Sequence, residues 1–252
     1  MLYPNFVGVL DSGLGGISVL RALKTVLPYE NYYYFADKDN APYGSKSDSE
    51  IICLTMKNVE QMIALGCKAI VIACNTATSV AIQLLRNKYK IPILGLEPAI
   101  SPALREFPSG KILVMATPVT LSHDKFQKLL DTVGRKQFTL VPAPHLVRYV
   151  ESGFLNRERA IGELSKLLEE YKNTEFDACV LGCTHFPFVK AEICEALGYT
   201  PRFFDGAQGV ALCLKNTLKS LDILNENVSE PKLIWNTEYS NGLQDKLLYS
   251  NI

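Results

Sequence analysis

AIVIACNTAT, residues 69–78, is the stretch on which the fold turns. Its first five residues are apolar without interruption and rich in β-branched side chains, the pattern of a strand buried on both faces. Cys74 and Asn75 end the run, and the residues after them read as a helix. The same alternation repeats outward in both directions. Toward the amino terminus, FVGVL (6–10) precedes a helical stretch from about 16 to 27, and YYYFA (32–36) leads through a loop into a helix over about 48–65. Along that helix Ile52, Met56, Val59 and Ile63 step by four, three and four residues and predict one buried face; Ser47 and Glu50 have capping-box spacing at its start. Toward the carboxyl terminus IPILGL (91–96), ILVMA (112–116), FTLV (138–141) and ACVLG (178–182) read as strands. Helices are expected over about 121–132 and 157–172, and another after 182. Near-continuous apolar strands separated by helices predict an α/β fold of mainly parallel sheets covered on both faces.

The pattern contains a repeat. One strand ends at Asp11 and a later one at Cys74, 63 positions on; another ends near Thr117 and a later one at Cys183, 66 positions on. Each of these cysteines follows a small residue, Ala73 or Gly182, and precedes polar ones. Two similar α/β domains related by a pseudo-two-fold are therefore expected, with the boundary near Glu97-Pro98 and the chain from about 207 returning to the first: domains 1–97 plus 207–252, and 98–206. The one loose segment falls around 225–231.

Composition bounds the function. The 252 residues are 48% hydrophobic and 21% charged, enough apolar material for one large or two small cores. Lysine plus arginine and aspartate plus glutamate number 26 each, so there is no global field to hold a nucleic-acid backbone, and no nucleic-acid partner is expected. Seven cysteines, an odd number with no C-x-x-C, argue against a disulfide framework, a zinc ribbon or a thioredoxin-type pair. No basic residue precedes Arg21 and Asp11 interrupts the first apolar stretch, unlike a signal peptide. No apolar run approaches the ~20 residues of a bilayer span. The expectation is a soluble cytoplasmic protein without membrane partners.

In parallel α/β sheets ligands bind beyond the carboxyl ends of the strands. The polar segments there are DSGLGG (11–16), APYG (41–44), CNTAT (74–78), ATPVT (116–120) and GCTHFP (182–187). DSGLGG sets a carboxylate, a hydroxyl and three glycines at a strand-to-helix turn, where exposed N–H groups and the helix amino end suit a small carboxylate. It is neither G-x-G-x-x-G nor a P-loop, so a dinucleotide or triphosphate is poorly supported. Asp11 read alone is better explained as a helix cap. Cys74, at a strand end before a helix, can gain thiolate character from the helix dipole, and Asn75 and Thr76 add donors. His185 lies two residues after Cys183 and can orient or balance a thiolate there. Cys53, Cys67, Cys179, Cys194 and Cys213 read as buried structural cysteines, and His123 and His145 as structural histidines. If the domains close on one cleft, Cys74 and Cys183 face each other across it. One acid–base group on each side of a planar intermediate is what inversion at carbon requires. Two other readings stay open on these residues: a metal-dependent hydrolase using Asp11, Cys74, Cys183 and His185 as ligands, and a two-lobed sensor that binds without turnover.

DSGLGG, APYG, ACNTAT and LGCTHFP, in that order, together resemble the glutamate racemases of the aspartate/glutamate racemase superfamily, as does PHLVRYVESG (144–153). The resemblance implies two α/β domains with the active site between them, and interconversion of L- and D-glutamate without pyridoxal phosphate or metal. It implies D-glutamate supply for peptidoglycan, and a homodimer. Carried onto this chain, it makes Cys74 and Cys183 the acid–base pair, with Asp11 assisting Cys74, and His185 with Glu151 assisting Cys183. Ser12, Tyr43, Gly44, Asn75, Thr76, Thr120 and Thr184, with Asp11 and His185, then hold the amino acid, mostly by its carboxylates. The chain departs from the family's pattern at LGLEPA (94–99), one residue short, at Asn40 where many members have arginine, and at FDGAQGVA (204–211); the last twenty or so residues match weakly.

Overall fold

The computed structural model describes residues 5–227, 229–239 and 242–249. Its strands are β1 (Phe6–Asp11), β2 (Asn31–Ala36), β3 (Ala69–Ile72), β4 (Ile93–Gly95), β5 (Ile112–Ala116), β6 (Phe138–Pro142), β7 (Ala178–Gly182), β8 (Arg202–Phe204) and β9 (Leu233–Trp235). The helices are α1 (Ile17–Val26), α2 (Asp48–Ala64), α3 (Asn75–Lys88), α4 (Ile100–Glu106), α5 (Pro118–Ser122), α6 (Asp124–Val133), α7 (Pro144–Glu151), α8 (Arg157–Leu168), α9 (Lys190–Leu197), α10 (Ala207–Ser220) and α11 (Leu243–Tyr249).

All strand pairs are parallel. The first sheet runs β4-β3-β1-β2-β9 and the second β6-β5-β7-β8. Adding four to each label of β4-β3-β1-β2 gives β8-β7-β5-β6, the second sheet read from its other edge, so the repeat seen in the sequence is a repeat of topology. The strand from the carboxyl-terminal stretch, β9, pairs with β2.

Alternation along each strand feeds two cores, as a sheet covered on both faces requires. Phe6 and Leu10 of β1, with Ile70 and Ile72 of β3, pack toward Ile51, Val59 and Met62 of α2 and Ala81, Ile82 and Leu85 of α3. Val7, Val9, Ala69 and Val71 face the other way, into a cluster with Leu20 and Leu23 of α1 and Leu214 and Leu218 of α10. That cluster does not stop at the first sheet. It continues through Leu113, Met115, Cys179 and Leu181 of the second and on to Leu146, Leu164 and Ile193 of the helices beyond. The outer face of the second sheet packs Ile112, Val114, Ala178 and Val180 against Ile100, Phe126 and Leu130. One apolar core therefore runs behind both rows of strand ends and fixes how they face each other.

Several sequence expectations need correction. The buried face of α2 is Ile51, Thr55, Asn58, Val59 and Met62, about one residue round from the apolar stripe at 52, 56, 59 and 63. Polar side chains disguise it: Thr55 Oγ1 donates to the Ile51 carbonyl (2.6 Å), and Asn58 Nδ2 donates to Asp37 Oδ2 (3.0 Å). The capping box at Ser47 and Glu50 forms as expected. The helix expected over 121–132 is two helices, because His123 is extended (φ −67°, ψ 136°) and its Nδ1 accepts from Lys125 N. The helix over 157–172 ends at Leu168 and tightens into a 3₁₀ turn over Glu169–Tyr171. Cys53 and Cys213 are exposed and Cys194 partly so, because each sits on an outward helix face rather than a strand. Within 225–231, Asn225 is tied down through two bonds to Glu30, each 2.9 Å, and residue 228 lies outside the described residues. So do 1–4 of the amino terminus and, in the weakly matching tail, 240, 241 and 250–252. Among the described residues no helix is long and apolar enough to cross a membrane.

Candidate active site

The carboxyl ends of both sheets converge on one narrow, largely closed cavity. Cys74, two residues past β3, and Cys183, directly after β7, both line it, and they are 6% and 7% exposed. The sequence-predicted Ser12, Tyr43, Gly44, Asn75, Thr76, Thr184 and His185 line it as well. Pro42, Thr117 and Val147, which the sequence did not single out, complete the wall. Thr120 stands behind it: its Oγ1 is 3.4 Å from Thr76 Oγ1 and 3.0 Å from Thr117 Oγ1. Thr117 and Thr76 are 2.9 Å apart, so a hydroxyl cluster joins the two halves of the cavity. The clue to Thr117 was its place at the end of β5, equivalent to Asp11 in the repeat, followed by the Pro that starts α5.

Asp11 and Glu151 also lie outside the lining, and their contacts say why. Asp11 Oδ1 accepts from Gly13 N (2.9 Å), closing the turn after β1, and Oδ2 accepts from Thr184 Oγ1 (3.1 Å) across the cleft. Glu151, the last residue of α7, accepts from Leu14 N at 2.7 Å and lies 2.6 Å from His185 Nε2. The glycine-rich turn was expected to open N–H groups to a ligand. Instead it admits the other half of the protein. A Cβ on Gly13 would fall 2.0 Å from Glu151 Oε1, and one on Gly15 would fall 2.4 Å from His185 Nδ1. The small carboxylate that fits this turn is that of Glu151. Ser18 Oγ adds a further clasp by donating to the Thr184 carbonyl (2.9 Å).

The two sulfurs sit in different electrostatic settings. Cys74 caps α3, with its Sγ accepting from Ala77 N (3.5 Å), and the thiol donates to Ser12 Oγ (3.9 Å). Burial and then the Asp11 carboxylate push its pKa up to about 12, outweighing the helix amide and Ser12. Burial likewise raises the pKa of Asp11, against the pull of His185 and of the Gly13 N–H. Cys183 Sγ lies 3.6 Å from His185 Nδ1. Burial by itself would push His185 down, but the sulfur of Cys183 and the carboxylate of Glu151 hold it well above its ordinary 6.5. An imidazolium is thus held between a sulfur and a carboxylate. Burial and the bond to Asp37 raise the Tyr43 pKa, so its hydroxyl stays protonated and donates a hydrogen bond to Asp37 Oδ2 at 2.5 Å. Asn75 Oδ1 is buried without a hydrogen-bond partner.

The arrangement suits acid–base work by two groups on one small molecule. It does not make a metal site: no three His, Cys, Asp or Glu side chains among the described residues are grouped to hold an ion, so Asp11, Cys74, Cys183 and His185 are not a ligand set.

Comparison with known proteins identifies relatives of this chain. A glutamate racemase of Clostridium acetobutylicum is 46% identical over 231 residues, covering 91% of this chain and 90% of that protein. The crystal structure of glutamate racemase isoform RacE1 from Bacillus anthracis superposes with a TM-score of 0.80 at 28% identity, covering 96% and 92% of the two chains. The Escherichia coli glutamate racemase, solved with L-glutamate and the activator UDP-MurNAc-Ala, superposes with a TM-score of 0.78 at 25% identity, covering 97% and 93%. The profile of the Asp/Glu/Hydantoin racemase family matches residues 18–211. The chain belongs to that family and is an amino-acid racemase.

Proposed function

We propose that the protein interconverts L- and D-glutamate by two-base proton transfer at Cα, with Cys74 and Cys183 on opposite faces of the carbon and no cofactor. The observation that carries this assignment is that two thiols, from equivalent strand ends of the two sheets, line one small cavity. Glutamate, rather than aspartate or a hydantoin, is favoured by the relative at 46% identity and by the L-glutamate complex of the Escherichia coli enzyme.

In the proposed cycle one sulfur, as thiolate, takes the Cα proton, and the electron pair spreads into the adjacent carboxylate. The opposed thiol then gives its proton to the other face. Each turnover exchanges the roles of the two sulfurs. The high pKa of Cys74 makes it the thiol, and hence the donor, in the resting site. The His185 imidazolium beside Cys183 provides positive charge for the sulfur that begins as base. Asp11 and Glu151 are positioning groups, the first for the turn beside Cys74 and the second for His185. Ser12, Asn75, Thr76 and Thr184 offer donors to the carboxylate on which charge develops. Each preorganised donor of this kind is worth about 3–4 kcal/mol, so several acting together are needed for so weak a carbon acid. The free Asn75 Oδ1 accepts from the substrate ammonium. Tyr43, Gly44 and Thr117 face the other carboxylate, with Thr120 behind Thr117.

Lobes 1–97 plus 207–252 and 98–206 close on this site, a division supported by the pairing of β9 with β2. The protein works in the cytoplasm as a homodimer and supplies D-glutamate for peptidoglycan. Circular dichroism of either glutamate enantiomer incubated with protein free of pyridoxal phosphate tests the substrate. Loss of optical activity from both enantiomers of glutamate is expected; turnover of aspartate without glutamate would refute it.

A further inference from the structure

A second cavity, of about 210 Å³, lies between α7 and α8 and shares no residue with the first. His145, Arg148 and Tyr149 recur at three and four residues along α7 and present one face to it; Asn156, Arg159, Ala160 and Glu163 do the same from α8. His145 is 9% exposed and its Nε2 has no hydrogen-bond partner. Burial lowers its pKa, so at neutral pH the ring is uncharged and can present an N–H. The Arg148 guanidinium forms no hydrogen bond or ion pair among the described residues. Arg159 Nε is 2.9 Å from Glu163 Oε1, and the same carboxylate attracts Arg148 and His145 at longer range, so a single carboxylate faces two arginines. Asn156, at the amino end of the 12-residue α8, lines the cavity and makes no side-chain cap, so it leaves the N–H groups of the first turn without a side-chain acceptor.

We infer that the α7–α8 cavity is a binding site for a small oxyanion, a carboxylate or phosphoryl group. The buried His145 imidazole lacks a partner, and beside it an exposed guanidinium that makes no hydrogen bond and a helix amino end without a side-chain cap can each take the same thing, an acceptor with several lone pairs. The volume falls below the ~300 Å³ at which drug-sized ligands begin to fit, which favours a compact ion over a nucleotide. The site has a route to the first cavity, because α7 ends in Glu151, the residue that holds His185 and Leu14.

The test is a titration of the whole protein with inorganic phosphate and, separately, with succinate, followed by amide and histidine-ring NMR. Saturating D-glutamate is kept present so that the first cavity is occupied. Saturable shifts of the Arg157, Glu158 and Arg159 amides and of the His145 ring are expected with at least one of the two ions, and the tighter binder identifies the class. Arg148→Met is expected to weaken binding about tenfold or more, with part of the affinity restored by Arg148→Lys. The Arg148 side chain is exposed and supports no core, so both variants are expected to fold, and the unshifted remainder of the spectrum reports that. Shifts that do not saturate with either ion, shifts confined to Ser12, Cys74 and Thr184, or equal affinity in wild type and Arg148→Met would overturn the assignment.

Discussion

Glu151 Oε1 stands 2.6 Å from His185 Nε2, and the same carboxylate oxygen accepts the Leu14 amide of the opposite lobe at 2.7 Å. One atom thereby joins the Cys183 sulfur in favouring the charged form of His185 and fixes the turn that follows Asp11.

A dependence of stability on pH follows. His185 is held above its ordinary 6.5, so the folded chain binds that proton more tightly than the unfolded one. The stabilisation is complete below pH 6.5 and is lost as pH rises through the raised value. Cys74 and Cys67, both pushed from 9.0 up to about 12, add losses of the same sign between pH 9 and 12. The slope is at most about 1.4 kcal/mol per pH unit for each proton. Calorimetry should therefore show the melting temperature falling as pH is raised above 6.5. In Glu151→Gln one cause of the His185 shift is gone; the variant should be less stable than wild type at low pH and approach it at high pH. A melting temperature that climbs over the alkaline range would count against this assignment of charges.

Gly15→Ala should be severe although the residue makes no side-chain contact. The new Cβ would sit 2.4 Å from both His185 Nδ1 and Thr184 Oγ1, so the other lobe must retreat. Overpacking of this kind costs about 1–3 kcal/mol. The larger expected effect is on racemisation, lost because His185 and Thr184 are displaced together. A folded Gly15→Ala protein with unchanged kcat would show that the contact between the lobes is not needed.

Asp11→Asn separates the two effects of that carboxylate. Its charge helps to raise the Cys74 pKa, so its removal should shift the pH midpoint for alkylation of Cys74 downward by about one unit. The turn and the Thr184 contact are also altered, and kcat should fall about tenfold or more. Mass spectrometry of the alkylated peptide against pH reads the first effect. An unmoved or higher midpoint would mean that burial alone governs the thiol.

Much of this was legible in the chain because parallel strands leave continuous apolar runs and because chemistry collects at their ends. AIVIA, ILVMA and ACVLG mark β3, β5 and β7, and the polar residues after them reach the cavity. Other features left no such mark. The three-residue strands β8 and β9 are too short to show a period. The inward face of α2 carries Thr55 and Asn58, whose hydrogen bonds replace apolar packing. Thr117 was visible as the end of a strand, but only the fold shows that its hydroxyl meets Thr76 across the cleft. In the sequence the glycines of DSGLGG imply space for a ligand. Their neighbours prove to be Glu151 and His185, 137 or more positions away from Leu14, a contact that no local pattern encodes.

The central claim is that Cys74 and Cys183 each serve one face of the same carbon. Enantiomer-resolved Cα–H exchange in D₂O tests it most directly, on wild type, Cys74→Ser and Cys183→Ser. Wild type should incorporate deuterium while racemising both glutamate enantiomers. Each serine variant should lose racemisation, and any exchange left should come from one enantiomer, opposite in the two variants. Racemisation of both enantiomers by either variant, or residual exchange from the same enantiomer in both, would contradict the two-thiol account.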